Sequence, residues 1–156
     1  GGFQTYTARE LEVYSNLLDR GMNLVFFTDH KKNDPVDELG IHLGLDFKGV
    51  AFGAITTLVP HEVTANIESI EYIAGSVLVN TNQNPDIEIL GWLGKEYFAD
   101  LNFNDVKDGD EPIGPPVMGI LNYPKSRIFF LGDMNGIEIQ PQPFIDNLID
   151  WMGQCF

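Results

Sequence analysis

The chain has 156 residues, 44% of them apolar, which suffices for one well-buried domain and not comfortably for two. Its 23 acidic and 9 basic side chains leave a formal charge of −14, which repels phosphate backbones and argues against nucleic acid or an anionic membrane surface as a partner. No stretch approaches the ~18 consecutive apolar residues of a spanning helix, so no membrane insertion is expected.

The charge argues first for solubility, and secondly for attraction of cations or a basic partner. A single cysteine, Cys155, excludes an internal disulfide framework and a Cys-rich metal site. The N-terminus lacks the basic start and apolar run of a signal peptide. It opens on Gly1-Gly2-Phe3 without a strand before the first helix, so residues 1–156 read as one domain cut from a longer protein.

In chain order, Thr7-Ala-Arg-Glu10 has the Ser/Thr-x-x-Glu form of a capping box. Leu11, Tyr14, Leu17 and Leu18 line one face of the helix it starts, and Gly21 ends that helix. Met22 to Phe27 reads as a buried strand running into Thr28-Asp29-His30, followed by a polar loop from Lys31 to Asp34. Pro35 starts a short helix through Leu39, Leu43 and Leu45, weakened by Gly40 and Gly44. Gly49 to Val59 is strand-like, with its two glycines marking a bulge or bend.

Pro60 to Thr64 is a turn, and Ile67, Ile70, Tyr72 and Ile73 after it are too short a run for a helix. Ser76 to Asn80 is a strand with a polar turn behind it, and Ile87 to Phe98 reads as a strand because Gly91 and Gly94 suit a helix interior poorly. Asp100 to Pro115 is a polar excursion rich in Gly and Pro. With Gly109 as the glycine of a calcium loop, Asn104, Val106 and Pro115 take the first, third and twelfth ligand positions. That fails the EF-hand pattern and leaves a solvated hairpin loop.

The last third holds Pro116 to Leu121, a tight turn at Tyr123 to Ser126, and the apolar run Arg127-Ile-Phe-Phe-Leu131, which reads as a strand buried on both faces. Gly132-Asp133-Met134-Asn135-Gly136 breaks the chain at that strand's C-terminal end, the edge where open α/β sheets collect ligands. Phe144, Ile145, Leu148, Ile149, Trp151 and Met152 form an apolar stripe at helical spacing. Strands alternating with helices predict a three-layer α/β domain with a largely parallel central sheet and an antiparallel extension in residues 49–121.

Three stretches together resemble class I glutamine-amidotransferase-like domains: Glu10 to Phe27, His61-Glu-Val-Thr-Ala-Asn-Ile-Glu-Ser-Ile70, and Gly114-Pro-Pro-Val-Met-Gly-Ile followed by Ser126-Arg-Ile-Phe-Phe-Leu-Gly-Asp133. The likeness is greatest to the non-enzymatic branch, which includes the GIFT domain of intraflagellar-transport proteins. It implies a flavodoxin-like sheet whose first strand lies upstream of Gly1-Gly2. Glu62 departs from the family, where proline is usual.

Catalytic members of that family carry a Gly-x-Cys-x-Gly elbow, which exposes the nucleophile and aims backbone amides at the oxyanion. Neither this elbow nor a Gly-x-Ser-x-Gly version occurs in the sequence, and no catalytic residue is assigned. Asp29 and His30 end one strand, and Asp133 and Asn135 follow another. In a parallel sheet all four share one edge and form the candidate ligand site, with turn and cap roles as the alternative. His30, His42 and His61 lack ligand-like spacing, so no metal is expected, and the sequence has no Gly-rich phosphate loop or Gly-x-Gly-x-x-Gly, so no cofactor is expected. His61 is expected to bond local backbone.

Trp92, Tyr97, Phe98 and Phe103 are core residues by default, or a partner- or sugar-binding face if exposed. The expected function is a non-catalytic amidotransferase-like domain that binds a protein partner, a small ligand or a glycan within a larger protein. The alternatives are a hydrolase using Asp29, His30 and Asp133, and a carbohydrate-binding module presenting Trp92 or Tyr97. The oligomeric state is left open, and the compartment leans extracytoplasmic.

Overall fold

A computed structural model describes residues 6–29, 38–79, 84–135 and 140–154. Helix α1 spans Ala8–Asp19. Its capping box is formed as the sequence predicts: Thr7 N donates to Glu10 Oε2 at 2.7 Å and Glu10 N donates to Thr7 Oγ1 at 3.3 Å. The bonds from Thr7 hold the Glu10 carboxyl below its ordinary value. Strand β1 (Leu24–Phe27) and the short helix α2 (Glu38–His42) follow. Strands β2 (Asp46–Leu58) and β3 (Ile70–Val79) are joined through a 3-10 turn at Glu62–Thr64. After them come β4 (Ile87–Leu93), β5 (Pro116–Tyr123), β6 (Ser126–Leu131) and helix α3 (Gln142–Gly153).

The six strands form one sheet in the order β1-β6-β5-β4-β2-β3. Only β1 with β6 is parallel; β6 with β5, β5 with β4, β4 with β2 and β2 with β3 are antiparallel. The largely parallel, flavodoxin-like three-layer α/β sandwich predicted from the alternation is therefore not the fold. The physical reason is the connections. Parallel neighbours need a crossover of about a dozen residues or more, usually helical, whereas a tight turn enforces antiparallel pairing. Between Asp46 and Leu131 the single 3-10 turn is the only helical segment among the described residues. Antiparallel pairing is thus the rule of the sheet, and not an extension to a parallel core.

The sheet curls on itself. At Gly49 (φ +64) and Gly53 (φ +138), β2 shifts register against β3, and such bulges increase strand bend and twist. The curl carries β3, last in the sheet order, back over the end of β6, where Ser76 N donates to Gly132 O at 2.9 Å. A Cβ on Gly132 would lie 1.9 Å from Ser76 O, so this approach requires glycine.

Both faces of β6 are covered. Ile128 and Phe130 join Leu18 of α1, Leu39 of α2, Phe26 and Phe47 in one apolar cluster. Phe129 and Leu131 point into a second, larger cluster with Phe144, Leu148 and Trp151 of α3. The near-continuous apolar run Arg127–Leu131 follows from this double burial, which α1 and α2 supply on one face and α3 on the other, at one end of an otherwise antiparallel sheet. Helix α3 is tied down as well as packed. Asn23 Nδ2 donates to Met152 O at 2.6 Å, Arg127 sits over the Trp151 ring at 5.2 Å, and Asn147 Nδ2 donates to Ala65 O at 2.8 Å.

Candidate functional site

The C-terminal end of β6 holds Asp133 with none of its surface exposed. Its Oδ2 accepts from Ile73 N at 2.7 Å and Ala74 N at 3.3 Å, and its Oδ1 accepts from Asn135 N at 2.8 Å. The carboxylate thus clamps the chain leaving β6 to the start of β3. Beside it, Tyr72 Oη donates to Ser76 O at 2.5 Å, and Ser76 Oγ donates to Asp29 O at 3.0 Å. Burial pushes the Tyr72 phenol well above its ordinary value, and the charges of Asp133 and Asp29 add to the rise.

The fold therefore brings Asp29 and Asp133 to the same buried tyrosine, with Asn135 exposed at the rim. His30 lies outside the described residues. His61 Nδ1 accepts from Val63 N at 3.1 Å, capping the 3-10 turn in the local-backbone role that its position in a turn predicts. At another surface Ser15 Oγ lies 2.7 Å from His42 Nε2 and also donates to Leu11 O at 3.3 Å, as an intrahelical serine commonly does. This pair joins α1 to α2.

The densest polar constellation is in the Asp100–Pro115 excursion. The chain docks on β2 through a reciprocal pair of bonds: Val50 N to Asp100 O at 2.9 Å and Asp100 N to Val50 O at 2.8 Å. Asp100 and Glu111 are buried. Asp100 Oδ1 accepts from Phe103 N at 2.5 Å and Asn104 N at 3.2 Å, and Oδ2 accepts from Asp105 N at 2.8 Å. Glu111 accepts from Leu101 N at 2.7 Å and Asp108 N at 2.9 Å.

Burial pushes the Asp100 carboxyl up, but the amides of Asp105, Asn104, Phe103 and Asn102 outweigh it and hold the group below its ordinary value. Asn102 Nδ2 and Asn104 Nδ2 converge on Asp108 Oδ2 at 2.6 and 3.0 Å. Asn104 Oδ1 accepts from Val106 N at 2.8 Å.

Counted from Asp100, this loop falls into the EF-hand ligand order that the Gly109 frame misses. Asp100, Asn102 and Asn104 take positions 1, 3 and 5, Val106 the backbone-carbonyl position 7, Asp108 position 9 and Glu111 position 12. Asp105 stands where the pattern has glycine, and its φ of 62° supplies the left-handed conformation that glycine usually provides. No three His, Cys, Asp or Glu side chains gather into a metal-holding group among the described residues. A cation in this loop would therefore draw on Asn102, Asn104 and the Val106 carbonyl as well as the carboxylates, a set of hard oxygen donors of the kind calcium takes. The frame set by Gly109 leaves Val106 and Pro115 at ligand positions, whereas the alternation Asp100-x-Asn102-x-Asn104, with Asp108 and Glu111 behind it, puts an oxygen donor at each.

Against this loop lies an open cavity of about 230 Å³ lined by Phe52, Tyr97 and Phe98 together with Glu96, Asp100 and Asp105. Phe52 is 56% exposed on β2. Tyr97 lies over the β2 backbone, where a Cβ on Gly53 would fall 2.5 Å from its ring. Trp92 is half-buried in β4, opposite Thr57 of β2 and Pro116 of β5, and is not an exposed platform. No family model matches the chain, and no curated protein matches it.

Proposed function

We propose that this is a non-catalytic binding domain whose loop Asp100–Glu111 closes around a calcium ion. The observation that carries the calcium reading is the register of the loop, in which every ligand position of the twelve-residue pattern holds an oxygen donor and the sixth residue is left-handed. The non-catalytic part rests on the sequence, which lacks a nucleophile elbow, and on the bonds of Asp133 to three backbone amides, which occupy the carboxylate a hydrolase would need. It agrees with the resemblance to the non-enzymatic amidotransferase-like branch in function alone, since the fold that resemblance implies is not the one found.

Calcium titration by calorimetry, with thermal unfolding in chelator and in millimolar calcium, tests this. Binding at about 100-fold excess over Kd stabilises by about 2.7 kcal/mol, which raises Tm by roughly 5–10 °C for a domain of this size. Asp108→Ala leaves the backbone bonds of Asp100 and Glu111 in place and weakens calcium binding about tenfold or more, a loss of about 1.4 kcal/mol. Absence of both binding heat and a Tm difference in the unaltered protein overturns the calcium reading.

A further inference from the structure

The cavity beside the loop is lined by Val50, aromatic rings and carboxylates. Phe52, Tyr97 and Phe98 provide ring surfaces, and Glu96, Asp100 and Asp105 provide carboxylates. Among these side chains Tyr97 holds the sole hydrogen-bond donor, because ionised carboxylates only accept. A sugar presents hydroxyls that donate and accept alike, so this lining would leave most of its acceptors unmet. A ligand rich in donors, positively charged and content against an aromatic face fits it better. The formal charge of −14 adds a long-range field of the matching sign.

We infer that this cavity binds an alkylammonium group, the chemistry of a lysine side chain. The ammonium donates to Glu96 and Asp105 at the mouth while its aliphatic stem lies along Phe52 and Tyr97. Asp100 already accepts three backbone amides and contributes its charge from below. The position of Gly53 under Tyr97 is part of the same site, since any side chain there would lift the ring from the β2 backbone. The inference deepens the binding reading by naming a ligand class, and it does not require the calcium ion, although the two sites share Asp100.

The test is NMR titration of the whole domain, in chelator and again in calcium, with a tri-lysine peptide blocked at both ends, its fully acetylated form, butylamine and a neutral gluco-oligosaccharide. The expected result is saturable shifts of the Phe52 and Tyr97 ring signals with the lysine peptide, and none with the acetylated peptide or the sugar. Butylamine shifting the same signals would identify the ammonium stem as sufficient, and silence from butylamine would assign the site to peptide-borne lysine. Phe52→Ala removes an exposed ring without changing net charge and raises the Kd on the order of fivefold. Glu96→Gln with Asp105→Asn abolishes measurable binding.

Equal binding by Phe52→Ala would show attraction to the bulk charge alone and overturn the inference, as would equal binding of the acetylated peptide or shifts with the sugar instead. Asp108→Ala retains the ammonium response while losing calcium heat, so failure of one proposal is distinguishable from failure of the other.

Discussion

Asp133 is a charged group in a fully buried position, which is costly unless its oxygens are met by donors. Three backbone amides from two segments meet them. Asp133→Ala leaves those amides without a partner and lowers unfolding stability by about 3 kcal/mol, measured by urea denaturation with an unchanged m-value. Asp133→Asn loses less, because one acceptor oxygen remains. A loss within about 0.5 kcal/mol for the alanine variant would mean that the amides find other acceptors. At this scale the sequence marks Asp133 as the residue that follows a buried strand, and no local pattern names its partners at Ile73 and Ala74, which are distant in the chain.

Strand β3 shows how an element escapes a periodicity reading. Its first half alternates in burial, with Ile70 and Tyr72 inside and Glu71 and Ile73 outside, but the outward Ile73 is apolar and 49% exposed, which blurs the two-residue signal. Its second half, Gly75 to Leu78, is buried throughout because it closes against the end of β6. Gly132→Ala sets a Cβ against the Ser76 carbonyl, backbone against backbone, and neither can give way without reopening this seam. The expected outcome is a fall in Tm of at least about 8 °C, from strain of ~3 kcal/mol. Gly153→Ala is the control: nothing stands within 4 Å of the added carbon, and Tm holds or rises slightly.

At the scale of the whole molecule, two groups of opposite shift contribute to a pH window. Asp100 has its folded value lowered from 3.8, so its contribution is full above that pH and is lost as pH falls through the folded value. Tyr72 has its folded value raised well above 10.0, so its contribution is full below pH 10 and is lost as pH climbs beyond it, where the unfolded phenol ionises and the folded one does not. Denaturation across a pH series is expected to give a plateau between these limits. Asp100→Asn shallows the acid limb and Tyr72→Phe the alkaline one. An alkaline limb unchanged in Tyr72→Phe would remove the tyrosine from this account.

What the sequence determines here is local. The capping box of α1, the bulge glycines of β2, the turn role of His61 and the double burial of Arg127–Leu131 follow from side-chain chemistry within a few residues. The alternation of oxygen-bearing side chains in the Asp100 loop is equally local and readable when counted from Asp100. Strand direction is not local. The same apolar runs serve parallel and antiparallel sheets, and only the geometry of the connections chose one parallel pair and a curled sheet. The cavity, too, is a tertiary fact, because Phe52 of β2 meets Tyr97, Phe98 and Asp105 only when the loop docks on Val50. Backbone pairing between segments far apart in the chain set these features, and a pairing of that kind leaves no pattern within either segment alone.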